Sequence, residues 1–127
     1  MTDKAATEVT ILLVEDVDDT RYFMRLELEY LGYRVIEAGD GQQAVDLALQ
    51  EQPDIILMDL SLPGLDGLEA TKRIRLDERL EKVPIIAVTA HVGTNLRDGA
   101  KASGFDAYVT KPIDIDRLNE LINGLRS

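Results

Sequence analysis

The sequence has no cysteine, one histidine, and fourteen basic residues against twenty-four acidic ones. Each shortage removes a class of function. Without cysteine there are no disulfides, no thiolate zinc sites and no cysteine nucleophile. His91 alone cannot assemble a multi-histidine metal site, and a lone loop histidine reads most simply as a solvated one. The net charge of −10 repels phosphate backbones and anionic lipid headgroups, which argues against direct nucleic-acid binding and against membrane docking. No apolar run approaches the ~20 residues needed to span a bilayer. The opening stretch MTDKAATE lacks the basic start and apolar core of a secretory signal. Residues 1–8 read as a flexible polar tail, and a cytoplasmic location is the expectation.

What remains is a chain of 127 residues with 45% hydrophobic and 30% charged positions, the composition of a folded domain long enough to close one core. We expect one domain over residues 9–127. Apolar runs alternate with helix-period segments. VTILLV (9–14) and DIILM (54–58) are near-continuous, as in strands buried on both faces. VPIIAVT (83–89) and AYVT (107–110) supply two more, with Pro84 at the start of its run, where a missing donor is tolerated. YRVIEA (33–38) is mixed and reads as an edge strand.

The first helical segment has Met24, Leu28 and Leu31 on one stripe, Asp18 and Asp19 as caps, and Gly32 as its stop. The second has Ala44, Leu47 and Ala48, with Asp40 as N-cap and Pro53 beyond the end. The third runs over 67–76 with Ala70 and Ile74 facing inward and Asp66 as its cap. The fourth, TNLRDGAKASG, carries Gly99 in its interior, which costs about 1 kcal/mol relative to alanine and makes it the weakest. The fifth has an amphipathic stripe of Ile115, Leu118, Leu121, Ile122 and Leu125. Five strands alternating with five helices imply an α/β fold: a parallel sheet with right-handed crossovers and helices on both faces.

In open parallel sheets, ligands sit beyond the carboxyl ends of the strands. The first strand ends in Glu15-Asp16, the third in Asp59, the fourth in Thr89 and the fifth in Thr110-Lys111-Pro112, while the edge strand ends in no reactive group. Taken singly, these residues have bland readings. A strand-terminal aspartate is usually a turn or cap residue, an acidic pair a solvated loop, and a terminal threonine a β-former. Together they are harder to dismiss. Three carboxylates at one rim raise each other's pKa and destabilise the fold unless a cation joins them. Hard oxygen donors without His or Cys suit Mg²⁺.

The motifs LLVEDVDD, LMDLSLPGLDG, AVTAH and YVTKP, in this order and at these strand ends, resemble the receiver domain of bacterial two-component response regulators. The resemblance covers about 9–125. It implies a flavodoxin-like, doubly wound five-stranded sheet of order 2-1-3-4-5 with five helices in three layers. It implies that Asp59 accepts a phosphoryl group from a histidine kinase or a histidine phosphotransfer protein. Glu15, Asp16 and Asp59, with the backbone carbonyl of Ser61, would hold Mg²⁺, for which Mn²⁺ can substitute. Glu15 in place of the first aspartate of the acidic pair is a variation the family accommodates. Thr89 matches the hydroxyl switch residue, Lys111 the phosphate-pairing lysine and Tyr108 the aromatic switch. Ser61 and His91 fall at positions that tune phosphate lifetime, and the Lys111–Pro112 bond is commonly cis.

Such a protein is a signalling switch, not a conventional enzyme. Its chemistry is limited to its own phosphorylation and dephosphorylation. A downstream protein would read the face made by the fourth helix, fifth strand and fifth helix, with the chain a monomer or weak dimer. Three rival readings fit these residues less well. A phosphohydrolase of the haloacid dehalogenase type places a second aspartate two residues after the nucleophile, where this chain has Ser61. A nucleotide or flavin module needs a glycine- or hydroxyl-rich cradle after the first strand, where this chain has the acidic VEDVDDT. A receiver acting only as a docking surface would not need the complete acceptor set.

Overall fold

The alternation closes into a single parallel sheet. A computed structural model describes residues 9–60, 66–89 and 104–126. Its strands are β1 (Thr10–Val14), β2 (Arg34–Ala38), β3 (Ile55–Asp59), β4 (Ile85–Thr89) and β5 (Ala107–Thr110). The helices are α1 (Asp18–Tyr30), α2 (Gly41–Glu51), α3 (Gly67–Arg75) and a C-terminal helix (Ile115–Arg126), with a 3₁₀ turn at Glu78–Leu80. The strand order is β2-β1-β3-β4-β5, as expected, and every pairing is parallel. Four α-helices are thus found among the described residues. The segment around Gly99, expected to form another, lies outside them.

Side-chain alternation along the strands divides the core in two. Leu12, Val14, Ile56, Met58 and Ala87 face α2 and α3 through Ala44, Ala48, Ala70 and Ile74. Ile11, Leu13, Ile55, Leu57 and Ile86 face α1 and the C-terminal helix through Met24, Leu28, Leu118 and Ile122. All five residues of β3 and of β4 are buried, and each full-sized apolar side chain among them contributes ~1.5–3 kcal/mol. β2 is half-exposed, as an edge strand should be.

The helix ends follow local chemistry. The Asp40 carboxylate accepts from Gln43 N–H at 2.8 Å and Asp66 accepts from Glu69 N–H at 2.9 Å, as N-caps do. Gly32 follows α1 at φ 101°, a left-handed conformation that glycine adopts without strain. Asp18 and Asp19 are not caps. Val17 occupies that position without a side-chain cap bond, and the two aspartates lie in the first turn. The reason is that Glu15 Oε2 already accepts the Val17 N–H at 3.2 Å, while Asp18 is drawn to Arg21 at 2.7 Å. β3 also starts one residue later than its apolar run suggested, because Asp54 is turned to its neighbour. Its Oδ2 accepts from Thr10 N–H at 2.8 Å.

One side chain ties α3 to the far end of the sheet. The Arg75 guanidinium donates to the carbonyls of Gly104 (2.8 Å), Leu80 (2.9 Å), Glu81 (3.0 Å) and Val83 (2.6 Å). It also pairs with Asp106 at 2.9 Å, whose carboxylate accepts from Ile85 N–H at 2.8 Å. The entries to β4 and β5 are therefore fastened through one cation. Arg75→Met is expected to lower the unfolding free energy by about 2–4 kcal/mol, because charge-assisted bonds vanish and carbonyls lose their partner. A urea denaturation midpoint checks this; an unchanged midpoint would remove Arg75 from the account.

Candidate functional site

The carboxyl ends of β1, β3, β4 and β5 bring the chemistry-bearing residues to one rim. Glu15 directly follows β1, Asp59 is the last residue of β3, Thr89 the last of β4, and Lys111 directly follows β5. Glu15, Asp59 and Thr89 are buried, at 1%, 2% and 2% exposure. Burial of three such groups is unusual for their types, and here geometry supplies the partners. Lys111 Nζ donates to Glu15 Oε1 at 2.8 Å and to Asp59 Oδ2 at 3.3 Å. Carboxylate oxygens of Glu15, Asp16 and Asp59 lie within 4.8 Å of one another.

The backbone holds this arrangement from below. The Glu15 N–H donates to Ala38 O at 3.1 Å, the Leu60 N–H to Val88 O at 3.0 Å and the Lys111 N–H to Thr89 O at 2.8 Å. The ladders thus run on one residue past each strand and carry the site residues with them. The Lys111–Pro112 peptide is cis. Tyr108 is half-buried in β5, on the α2–α3 side of the sheet, and lines a cavity of about 450 Å³ with Thr110, Pro112, Arg117 and Leu118. The structure therefore joins Lys111 to Glu15 and Asp59, brings a carboxylate oxygen of Asp16 within 4.8 Å of theirs, sets Thr89 on the same rim, and leaves Tyr108 three residues before Lys111 in β5. Ser61 and His91 lie outside the described residues.

Charge is unbalanced at this rim. Glu15, Asp16 and Asp59 bring three negative charges, and among the described residues Lys111 is the one cation paired with this cluster, through Glu15 and Asp59, which leaves a deficit of two. Titration behaviour reflects it. Burial pushes the Glu15 carboxyl above the usual carboxylate range, and Asp59 beside it adds to this, against the hydrogen bonds from Lys111 and Val17. Burial also opposes the Lys111 charge, yet the hydrogen bond and charge of Glu15 with the charge of Asp59 outweigh it and raise its pKa. In an isolated ion pair the acid would be lowered as the base is raised. Glu15 goes the other way because its burial, with the neighbouring Asp59 acid added, outweighs the hydrogen bonds from Lys111 and Val17. Hard carboxylate oxygens short of two positive charges fit a divalent cation such as Mg²⁺.

With the geometry in place, comparison with known proteins is decisive. The model of the response regulator receiver domain family matches residues 11–123. The chain belongs to that family. Among curated relatives, the polar-differentiation response regulator DivK of Brucella ovis is 39% identical over 113 residues, 89% of this chain and 92% of DivK. Among solved structures, the receiver domain of sensor histidine kinase PA1611 from Pseudomonas aeruginosa superposes with a TM-score of 0.86 at 39% identity, covering 92% of this chain and 96% of that one. That structure has a magnesium ion coordinated in its active-site cleft. Chemotaxis protein CheY4 of Vibrio cholerae gives a TM-score of 0.88 at 26% identity, over 92% of this chain and 98% of that one. This is a receiver domain of two-component signalling, similar to DivK and to chemotaxis regulators. No helix among its described residues is long and apolar enough to cross a membrane.

The residue at position 67 was missed by pattern reading, where it served only to start a helix. A Cβ on Gly67 would lie 2.3 Å from the Asp59 carbonyl oxygen and 3.0 Å from Leu60 Cα. Contacts that short force something to move, and both neighbours are backbone. Helix α3 therefore packs directly on the peptide that carries Asp59, and only a glycine allows it. Its signal in the sequence was the Asp66-Gly67 pair after a strand, which does not reveal what the glycine touches. Gly67→Ala is expected to destabilise the receiver by about 1–3 kcal/mol, the range for overpacking, and to shift the Asp59 and Leu60 amide resonances. Unmoved resonances in a stable variant would refute the contact.

Glu15 supplies a second test. Its folded pKa is raised, so the fold favours the protonated form; stability falls as pH rises from the unfolded-state value through the folded one. In metal-free protein, Glu15→Gln should therefore be more stable than wild type at neutral pH. The difference should disappear near pH 4, where the wild-type side chain is protonated. Thermal melts with a chelator at both pH values check the sign.

Proposed function

We propose that this receiver takes a phosphoryl group on the Asp59 carboxylate, from a phosphohistidine of a histidine kinase or of a histidine phosphotransfer protein. The observation that supports this most is the Asp59 carboxylate itself: buried at the end of a central strand, touched by Lys111, and crowded by two more acids. In the step, the P–N bond of the phosphohistidine breaks, an Asp59 O–P bond forms, and the imidazole takes a proton. Asp59 is held still for in-line attack by the β3 ladder and by Gly67 beneath it. Much of the catalysis of such transfers is positioning and charge stabilisation. Lys111, a compact point charge, is within reach of the Asp59 oxygens and follows the charge as it moves onto the phosphoryl group.

Glu15, Asp16 and Asp59 would hold Mg²⁺, and the Ser61 carbonyl would join them on the strength of the family resemblance. When bound, the ion lowers the repulsion between carboxylate and phosphoryl oxygens and supplies Lewis-acid stabilisation of the transferring group. Mn²⁺, an oxygen-preferring ion of the same charge, serves as substitute. The surrounding residues then respond. A Thr89 hydroxyl that turns to the new acceptor oxygens gains about 1.5–3 kcal/mol, the value of a hydrogen bond to a charged group. Near-complete switching needs about 5.5 kcal/mol, so Lys111 and the repacking of Tyr108 against its cavity share the load. Ser61 and His91 would tune how long the phosphoryl group stays. The partner that reads the change is a downstream protein, not a nucleic acid or a membrane. A cytoplasmic location and a monomer or weak dimer accompany this reading.

Incubation with Mg²⁺ and acetyl phosphate, followed by intact-mass measurement, tests it. Wild type should gain one phosphoryl group and Asp59→Asn none. Lys111→Met should slow the reaction by about 10²-fold, the scale for losing one positioned electrostatic partner. No adduct on wild type, or an equal adduct on Asp59→Asn, would sink the proposal.

A further inference from the structure

We infer that Arg21 is a positioning residue for the acidic pair: its guanidinium clamps the Glu15 carbonyl and so aims the Glu15 and Asp16 carboxylates at the cation. The inference rests on the metal site proposed above. Arg21 Nη1 donates to Glu15 O at 2.7 Å, Nη2 donates to Asp18 Oδ1 at 2.7 Å, and Nε lies 3.6 Å from Glu37 Oε1. One planar fork thus joins the end of β1, the first turn of α1 and the end of β2. The bridge to Asp18, a side chain 87% exposed, is worth little by itself. The bond to the Glu15 carbonyl is different, because it lies partly buried at the root of the site.

The covalent geometry of the loop explains why that carbonyl matters. The Glu15 N–H, one residue past β1, still finds the neighbouring strand, on Ala38 O at 3.1 Å. Beyond it the chain leaves the sheet. The Glu15 carbonyl belongs to the same planar peptide as the Asp16 nitrogen. Holding that oxygen restrains the plane, and with it ψ of Glu15 and φ of Asp16, the dihedrals through which both acidic side chains depart. The guanidinium also rests against the β2–α2 turn, where a Cβ on Gly39 would come within 3.4 Å of Nη1. Arg21 is therefore seated between three elements, and a lysine cannot copy its fork.

Charge and positioning predict opposite signs, which makes the idea testable. A cation beside a metal site repels the metal, so its removal should tighten Mg²⁺ binding if charge is all that Arg21 contributes. If Arg21 positions the acids, its removal should weaken binding. The probe is Mg²⁺ alone, titrated into unphosphorylated protein and followed by the amide resonances of Asp16 and Asp59. Arg21→Met is expected to weaken Mg²⁺ binding by about tenfold, on the scale known for residues that orient metal ligands. Arg21→Lys, which keeps the charge but not the fork, should also lose affinity, by about tenfold at the lower end of the same scale. Arg25→Met removes a cation one turn on that pairs with Glu29 and Glu37 but is not bonded to Glu15; it should bind Mg²⁺ as wild type does or more tightly.

Equal or tighter binding by Arg21→Met overturns the inference while leaving the metal site standing. Should Arg21→Met fail to fold, Arg21→Lys decides, and wild-type affinity there overturns it. Absence of any Mg²⁺-dependent shift at Asp16 and Asp59 in wild type overturns the metal site, and the inference with it.

Discussion

The site depends on one ammonium shared by two buried acids. Lys111 reaches Glu15 at 2.8 Å and Asp59 at 3.3 Å, so a residue after β5 spans the ends of β1 and β3 across the mouth of β4. Removing two carboxylates from water is costly, and the mutual attraction repays it only with good geometry. Here the sheet provides the geometry. β1 and β3 are neighbours, β3 and β4 are neighbours, and the β1–β2, β3–β4 and β4–β5 ladders each continue one residue past a strand. The acids are thus delivered to fixed points, and the lysine is the flexible element that meets them. A long four-carbon stem suits that task, because it can follow charge across the rim.

The sequence displayed this site well because the sheet does the assembling. A buried parallel strand reads as an apolar run, and the first polar residue after the run marks its carboxyl end. Glu15, Asp59 and Thr89 stand out in this way, Lys111 follows the terminal Thr110 of the fifth run, and the order of strands brings them together. Helix caps were legible where one polar residue stood at the boundary, as with Asp40 and Asp66. They were misread at Asp18 and Asp19, where a run of acids offered several candidates. What decided there was Glu15 reaching forward to Val17, a contact that no periodicity encodes, with Arg21 drawing Asp18 across one helical turn. Arg75 and Gly67 were hidden for related reasons. An arginine late in a helix looks like a solvated charge, and its carbonyl partners come from two other parts of the chain, 80–83 and Gly104. A glycine at a helix start looks like a boundary, and its contact with Asp59 is visible only once α3 lies on β3.

The two ends of the sheet are built differently, and the contrast separates stability from chemistry. At the far end, one arginine satisfies four carbonyls and a carboxylate. Charge there is balanced by hydrogen bonds to neutral groups and by one acid, so the end is a fastening. At the carboxyl end, charge is left short by two and a buried glutamate is raised in pKa. A fold that sought stability alone would not gather three acids around one lysine. Strain of this electrostatic kind is what a cation or a transferred phosphoryl group can relieve or redistribute.

Glutamate at position 15 has a specific consequence for that redistribution. Its two oxygens are split between different partners: Oε1 accepts from Lys111 and Oε2 accepts the Val17 N–H at the entrance to α1. The extra methylene relative to aspartate lets the carboxylate bend back to the helix while still reaching the lysine. Lys111 is therefore tethered by Glu15 more tightly than by Asp59, at 2.8 Å against 3.3 Å. On the proposed reading, a phosphoryl group on Asp59 competes with Glu15 for this ammonium, and a cation competes with the ammonium for Glu15. The two additions favour each other, because a cation that neutralises Glu15 frees Lys111 for the phosphoryl oxygens. Coupling of that form must be reciprocal. On that proposed reading, a receiver whose acids and lysine are joined in this way takes both ligands together more readily than either alone.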